Sequence, residues 1–217
     1  TGLCMTIEGD TASFTATDGK RLARAHTRIS TPIDGQYKAI IPTKAIDEVL
    51  KNLKESENVE LHLLDDKIAF VMNQTTIITK LLMGEYPDVN RVIPTQTLFN
   101  IEIHRDEIIS LLRQVSLFTS ANKESARFTF SNGNLTLQAI SSELGGGEVS
   151  MDINYQGEPL EIAFNPLFFQ DLLRHCHKET FVIGLIDAFS PALISEEAPT
   201  PASSPLFILM PMRLNDE

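Results

Sequence analysis

Three short motifs in the chain are of types that could do chemistry. His175, Cys176 and His177 offer the donor atoms that bind zinc. On a helix, however, positions i and i+2 point about 200° apart, so the two histidines would not reach one ion. The glycine run 145–147 precedes a predicted strand and has no following Lys-Ser or Lys-Thr. We therefore interpret it as a loop and not as a phosphate-binding turn.

A third motif, 104–107, reads His-Arg-Asp-Glu. It suits the first turn of a helix better than an acid–base pair, because carboxylates are favourable near a helix N-terminus. The chain also contains no Gly-x-Ser-x-Gly element. The sequence thus predicts a protein that is not an enzyme and that needs no metal or other cofactor. A small hydrolase with a site between two domains, and a two-domain scaffold without a ligand, remain as alternatives.

The stretch 206–214 is better suited to binding than to catalysis. Leu206 to Met210 is an unbroken apolar run with the length of a strand that is covered on both faces. Pro211 lacks a backbone donor, so pairing should stop or run along a sheet edge there and leave Met210, Met212 and Leu214 near a surface. Flexible, polarizable methionines suit a groove that accepts several related ligands. The alternative is a strand of the core.

Composition excludes several classes of protein. The chain has 217 residues, enough for one large domain or two smaller ones, and a hydrophobic content of 42% typical of globular proteins. Two cysteines are too few for a disulfide framework, and no secretory signal pattern is present, so we expect a cytoplasmic protein. A net charge of −11 argues against a broad basic nucleic-acid surface. Any DNA contact should be local.

The elements that must position these residues alternate between strands and a few amphipathic helices, which predicts an α+β fold. A strand–turn–strand pattern with its turn at Gly9-Asp10 opens the chain, and Asn132-Gly133 is a strong hairpin signal. Helices are predicted over 43–54, 104–119 and from Asn165-Pro166 to Leu173. Strands fill much of the remaining chain.

The two halves match each other at a fixed offset of about 123 residues. In this register the strand at 12–14 falls on 135–137, the helix start at 42 on 165, and Val59 on Val182. We therefore expect two copies of one α+β unit, over residues 1–97 and 98–217. The second copy begins with the helix at 104–119, whereas the first has no such helix.

Three segments, in order and in register, carry a resemblance to a known family. They are Thr-Ala-Thr-Asp-Gly-Lys-Arg-Leu at 15–22, Gly-Glu-Tyr-Pro-Asp-Val-Asn-Arg-Val-Ile-Pro at 84–94, and Met-Pro-Met-Arg-Leu at 210–214. Together they resemble the bacterial sliding clamp, the beta subunit of DNA polymerase III. The resemblance spans the whole chain. It implies the second clamp domain without its first helix, followed by the whole third domain, with antiparallel sheets outside and helices lining the inner face.

The resemblance implies a processivity factor that encircles duplex DNA and tethers the polymerase III alpha subunit, the clamp loader and repair polymerases through short peptides. The implied peptide groove is formed by Thr17, Gly19, Lys20, Arg21, Leu22, Pro87, Arg91, Val92, Ile208, Leu209, Met210, Pro211, Met212, Arg213 and Leu214. Leu22, Val92, Leu209 and Met212 would supply apolar surface, and the arginines would hold peptide carbonyls or acidic groups.

The same resemblance implies a face toward DNA and a subunit interface. The basic residues on or near the helices lining the ring are Lys44, Lys51, Lys54, Arg105, Arg113 and Lys123. Leu117 and Phe118, with the strand edge near Glu148, would form half of a head-to-tail homodimer interface in the full-length protein. A nucleoid-associated location follows from this role.

Overall fold

The computed structural model describes residues 2–54, 58–119, 124–141 and 145–213. The chain divides into two compact units: Thr1–Asp18 with Arg24–Asp88, and Gly19–Ala23 with Val89–Glu217. Residues 89–97, which the sequence analysis assigned to the first copy, therefore belong to the second unit. The short segment Gly19–Ala23 also belongs to it, although it is surrounded in sequence by residues of the first unit.

The first unit contains one helix and strands that pack against it. Its elements are β1 (Gly2–Thr17), β2 (Arg21–Pro42, whose first residues lie in the second unit), α1 (Thr43–Asn52), β3 (Glu60–Leu63), β4 (Lys67–Met72) and β5 (Thr75–Lys80). Strands β3, β4 and β5 form an antiparallel sheet. Ala45 and Val49 of α1 join Met5, Ile41 and Ile68 in the core. Burial of these side chains is what holds a helix this short in place.

Some local expectations for the first unit are corrected. Strand β1 runs through the expected turn at Gly9-Asp10 without a break, and Gly9 has a φ of +56°, which glycine adopts at no steric cost. Helix α1 ends at Asn52 and not at residue 54. Leu50, which follows the apolar spacing of α1, is 62% exposed because the helix buries only the face that carries Ala45 and Val49.

The second unit contains two helices and two sheets. After a 3-10 helix at Val89–Val92, its elements are β6 (Phe99–His104), α2 (Arg105–Ser116), β7 (Ala126–Ser131), β8 (Asn134–Ser141), β9 (Gly145–Asp152), β10 (Leu160–Phe164), α3 (Pro166–Leu173), β11 (Thr180–Leu185), β12 (Ala192–Ser195) and β13 (Leu206–Leu209). One sheet has the order β10-β7-β8-β9. In the other, β6, β11, β12 and β13 follow one another, and β13 neighbours β2.

The core of the second unit is built around aromatic rings. Phe169 of α3 lies edge-to-face against Phe164 and Phe181, at centroid distances of 6.0 Å each, and Phe128 packs on Phe164 at 5.3 Å. Helices α2 and α3 pack against each other. The Asn165 side chain accepts hydrogen bonds from the backbone N–H groups of Leu167 (2.9 Å) and Phe168 (3.3 Å), so the predicted start of α3 is confirmed.

The hairpin predicted at Asn132-Gly133 is also confirmed. Ser131 pairs with Asn134 across it, and both turn residues have positive φ, +26° and +79°. The glycine run 145–147, by contrast, is not a loop: it forms the start of β9 and pairs with β8. Helix α1 begins at Thr43 and α3 at Pro166, so their difference, 166 − 43 = 123, reproduces the offset of the sequence repeat.

Candidate partner-binding surface

Strand β13 separates two apolar clusters by the alternation of its side chains. Phe207 and Leu209 point into the main core of the second unit. Leu206 and Ile208, on the opposite face, form a smaller cluster with Leu22, Ile93 and Leu193, and we call it the β13 cluster. Val89 and Met210 pack against the β13 cluster and stay partly exposed. The β13 cluster brings together four segments of the chain, around residues 22, 93, 193 and 206–208.

The chain leaving β13 is fixed by its backbone on both sides of Pro211. The N–H of Met210 donates to the carbonyl of Lys20 (3.0 Å), and the N–H of Met212 donates to the carbonyl of Ala163 at the end of β10 (2.8 Å). Pro211, which has no N–H, lies between these two donors, so the predicted end of the strand pairing is confirmed. Met210 and Met212 are held at a surface and are half-buried.

Beside the β13 cluster, Arg21 is held by an aromatic ring and a carboxylate. Its guanidinium lies 4.6 Å from the ring centroid of Phe168, and its Nη1 is 2.6 Å from Oδ2 of Asp171. The Arg21 side chain is 26% exposed, so it is oriented without being removed from solvent. A cation over an aromatic face is worth about 0.5–1 kcal/mol at a partly exposed site. The planar guanidinium carries five N–H donors in a fixed fork, the geometry that carbonyl and carboxylate groups match.

Lys20 extends this charged border. Its ammonium lies 5.6 Å from the centroid of the same Phe168 ring and 3.8 Å from Glu124 Oε2. On the carboxylate side, Asp171 also contacts Arg174 Nη1 at 3.6 Å. Two cations therefore lie over one ring, and each of them also contacts a carboxylate, beside the apolar β13 cluster. Such a combination of apolar contacts and oriented polar groups is typical of a peptide-binding surface.

The 3-10 helix Val89–Val92 supplies another part of this surface. Ile93, immediately after it, is 7% exposed and belongs to the β13 cluster, whereas Val92 is 37% exposed and Arg91 is exposed. Burial of Ile93 thus holds the segment in place, while the side chains of Arg91 and Val92 face solvent. Both are residues that the sequence analysis assigned to the groove.

The remaining expected groove residues divide into four groups. Lys20, Arg21, Leu22, Ile208 and Met210 lie together around the β13 cluster, and Arg213 is exposed beyond it. Leu209 and Leu22 offer no apolar surface, contrary to expectation, because Leu209 is fully buried in the main core and Leu22, at 2% exposure, is buried in the β13 cluster. Thr17 and Pro87 fall in the first unit, and Leu214 lies outside the described residues.

Sequence reasoning missed five residues of this surface: Ile93, Phe168, Asp171, Leu193 and Leu206. Leu206 could have been found, because it shares a strand face with Ile208 two residues later. No signal in the sequence pointed to Phe168 and Asp171, which meet Arg21 from about 150 residues away. Gly19, with a φ of +85°, allows the turn that leads into Arg21.

The residues that raised the question of catalysis do not form a reactive site. His175–His177 follows α3 and is not helical, and Cys176 is buried. Burial and the nearby charge of Glu196, opposed by Arg105, raise the pKa of Cys176 to about 11, so the thiol is protonated at neutral pH. Within the described ranges, no three His, Cys, Asp or Glu side chains are grouped to hold a metal ion.

Comparison with known families matches both units. Residues 1–88 match the central domain of the DNA polymerase III beta subunit, and residues 90–213 match the C-terminal domain of the same subunit. The chain belongs to the DNA polymerase III beta subunit family. The junction at residues 88–90 coincides with the division between the two compact units.

Individual members of this family are also similar to the chain in sequence. The chain is 43% identical over 219 residues to the beta sliding clamp of Chlamydia muridarum, covering 100% of this chain and 58% of that protein. It is 26% identical over 214 residues to the beta sliding clamp of Vibrio cholerae, covering 98% of this chain and 57% of that protein. The chain thus spans somewhat more than half the length of these relatives.

Solved structures of the beta subunit family share the fold. The DNA polymerase sliding clamp of Pseudomonas aeruginosa, with ligand, matches with a TM-score of 0.92 at 28% identity, over 98% of this chain and 58% of that one. The DNA polymerase III beta subunit of Thermotoga maritima matches with a TM-score of 0.87 at 27% identity, over 98% and 57% of the two chains. The expected α+β clamp fold is therefore confirmed.

The basic residues that the beta subunit resemblance assigned to DNA have different environments. Lys44, Lys51, Lys54 and Arg113 are exposed. Arg105 is not, because its Nη1 donates to the carbonyl of Cys176 (2.6 Å) and its Nε lies 3.0 Å from Asp106 Oδ1. This hydrogen bond ties the start of α2 to the segment after α3, which favours a structural role for Arg105. Lys123 lies outside the described residues.

The two residues that the beta subunit resemblance assigned to a subunit interface differ in their exposure to solvent. Leu117 is 69% exposed, whereas Phe118 is partly buried against the main core of the second unit. The Phe118 ring lies over Gly147 of β9, where any β-carbon would meet the ring. Strand β9 is at one edge of its sheet, and Glu148 on it is exposed.

Across the described ranges, none of the helices has the length and hydropathy that a membrane crossing needs.

Proposed function

We propose that the chain is the central and C-terminal part of a DNA sliding clamp, a non-catalytic processivity factor that encircles duplex DNA and tethers the replicative polymerase. The observation that carries the proposal is the match of both units, in order, to two domains of the DNA polymerase III beta subunit. The net charge of −11 supports retention by encirclement over tight phosphate binding, because a strongly neutralising surface would slow sliding.

The surface around the β13 cluster is the proposed docking site for partner peptides, which come from the polymerase III alpha subunit, the clamp loader and repair polymerases. Half-buried Met210 and Met212 supply adaptable apolar contacts, as several different partners would require. Arg21, oriented by Phe168 and Asp171, donates to carbonyl or carboxylate groups of the peptide. Arg91, Val92 and Arg213 of the same unit complete the proposed site.

The full-length protein is proposed to close into a head-to-tail homodimer. Within the described part of the chain, β9 is the last strand of its sheet, and the side chain of Leu117 is exposed. Both support this, because an edge strand beside an apolar side chain can continue a sheet into a second subunit. The clamp would act in the cytoplasm, on the nucleoid, without a cofactor. Lys44, Lys51, Lys54, Arg113 and Lys123 are the proposed contacts to the DNA backbone.

A processivity assay tests the proposal. The full-length protein, its clamp loader and its polymerase are combined on a primed single-stranded circle, and product length is measured with and without the protein. We expect long products only when the protein is present. Products of equal length in both reactions, with an active loader and polymerase, would refute the proposed function. A linear template with free ends serves as control, because an encircling clamp slides off it.

A further inference from the structure

The six methionines of the chain, all within its described part, differ in exposure to solvent. Met83 of the first unit is fully exposed, and Met210 and Met212 are half-buried. The other three are buried in the two cores at 5% exposure or less: Met5, Met72 and Met151. An oxidant in solution reaches a thioether sulfur only at the surface of the folded protein. Two of the three accessible methionines therefore lie in the proposed docking surface at the end of β13.

The backbone keeps Met210 and Met212 at this surface. The N–H of Met210 donates to the carbonyl of Lys20 at 3.0 Å, and the N–H of Met212 donates to the carbonyl of Ala163 at 2.8 Å. On the inward side of β13 the main core is already filled, with Leu209 fully buried. The Met210 side chain packs against the β13 cluster and stays partly exposed. Both side chains are therefore accessible from solvent when no partner is bound.

Oxidation of a thioether changes the property on which an apolar docking surface depends. Hydrogen peroxide transfers one oxygen atom to the methionine sulfur: its O–O bond breaks, an S–O bond forms, and the peroxide is reduced to water. The product, methionine sulfoxide, is polar and carries a hydrogen-bond acceptor in place of a flexible apolar group. An apolar peptide side chain covering this oxygen removes its water partners without replacing them. The expected loss of affinity is about tenfold or more.

We propose that Met210 and Met212 form an oxidation site through which peroxides turn off partner docking. The proposal rests on the proposed function and adds to it a regulation of the same surface. The regulation is reversible, because methionine sulfoxide reductases return each sulfoxide epimer to the thioether. Met83 belongs to the first unit and lies outside the docking surface, so its oxidation leaves docking intact.

The first measurement is the rate of oxidation at each methionine. The full-length native protein is treated with hydrogen peroxide, samples are quenched with free methionine, and sulfoxide is quantified by peptide mass spectrometry. We expect Met83 to react fastest and Met210 and Met212 next, with the three buried methionines at least about tenfold slower than these two. Rates at Met210 and Met212 as low as those of the buried methionines would overturn the inference.

The second measurement is peptide affinity before and after oxidation, by calorimetric titration. The probe is a synthetic peptide of the type glutamine-leucine-x-leucine-phenylalanine, which the sliding-clamp resemblance implies. Oxidation should weaken its binding to the wild type about tenfold or more, and treatment with both sulfoxide reductases should restore it. Met83→Leu should respond as the wild type does. In the double variant Met210→Leu/Met212→Leu, compared with its own untreated form, peroxide should change affinity less than about twofold, because leucine has no sulfur to oxidise.

The outcomes separate the inference from the proposed function. Unchanged affinity of a wild type that carries sulfoxide at both positions would overturn the inference. A loss that persists in the double variant, or that the reductases do not reverse, would overturn it as well, because the loss would then arise elsewhere. If the untreated double variant does not bind, the single variants Met210→Leu and Met212→Leu replace it, and each should lose less affinity on oxidation than the wild type. Absence of binding by the untreated wild type would refute the proposed docking surface itself.

Discussion

Burial and the neighbouring charged groups change the reactivity of the Cys176 thiol. Cys176 follows the end of α3. The Arg105 side chain donates to the backbone carbonyl of Cys176, and the N–H groups of His177 and Lys178 donate to the Glu196 carboxylate. Burial of Glu196 is the largest single effect and works against its ionisation, yet these two N–H donors together with the charges of His177 and Lys178 lower the pKa of that carboxyl. The segment after α3 is therefore held by hydrogen bonds to two charged side chains, Arg105 and Glu196, and Cys176 within it is buried.

This environment predicts that the Cys176 thiol reacts slowly with alkylating reagents. With a pKa of about 11 in place of 9.0, the thiolate fraction of Cys176 at pH 8 falls about a hundredfold. We expect native Cys176 to be alkylated by iodoacetamide at least a hundred times more slowly than the same cysteine in urea, as measured by peptide mass spectrometry. Alkylation of the native protein at the unfolded rate below pH 9 would contradict the described environment.

The raised pKa also has a consequence for stability. Because the folded state favours the protonated thiol, this contribution is complete below the unfolded pKa of about 9 and is lost as pH rises towards 11. The free energy of unfolding of wild type should therefore fall more steeply over this pH range than that of Cys176→Ala. Identical pH profiles for the two proteins, followed by urea denaturation, would exclude the contribution.

At the scale of the elements, the packing of β9 against the end of α2 requires a glycine at position 147. The Phe118 ring, just past the end of α2, occupies the place where a side chain of residue 147 would stand. Gly147→Ala should lower the free energy of unfolding by about 1–3 kcal/mol, the usual range for overpacking a core contact. The measurement is urea denaturation of the two proteins.

Gly146→Ala is the matched control, because its β-carbon would meet its nearest neighbours only at 3.5 and 3.6 Å, at ordinary contact distance. We expect it to stay within about 0.5 kcal/mol of wild type. If the two glycine variants were equally stable, the ring of Phe118 would not lie over β9 as described.

Elements fixed by local chemistry were the most predictable ones. The Asn132-Gly133 hairpin and the Asn165-capped start of α3 depend on residues within three positions of each other. The glycine run 145–147 was misread as a loop because its strand character comes from pairing with β8, which the glycines themselves do not signal. In the same way, the partners of Arg21 were invisible because they come from α3.

At the scale of the whole molecule, the internal repeat was readable because helix starts are sharply marked in sequence. The division between the units was not, since residues 89–97 contain no turn signal that separates them from the first copy, and Ile93 joins the second unit only through the β13 cluster. The groove was located by resemblance. Its charged border was found only from the folded arrangement of Lys20, Arg21 and Phe168.

The proposed dimer gives a further prediction at this scale. Leu117→Asp places a charge on an exposed apolar side chain beside the edge strand β9, and in the full-length protein it should weaken dimerisation about tenfold or more. Leu167→Asp, at 56% exposure on α3, is the control and should leave the dimer intact. Sedimentation velocity at several concentrations measures both. A dimer unaffected by Leu117→Asp would place the interface elsewhere.

The central claim is that the surface at the end of β13 binds partner peptides, and calorimetric titration tests it most directly. The resemblance to sliding clamps implies partner peptides of the type glutamine-leucine-x-leucine-phenylalanine, and such a peptide should bind with micromolar affinity. Met212→Ala should weaken it by about 1–2 kcal/mol, through loss of apolar contact area. Met83→Ala, at a fully exposed methionine of the first unit, should leave affinity unchanged. No binding by the wild type, or equal affinities of the Met212→Ala variant and wild type, would contradict the account.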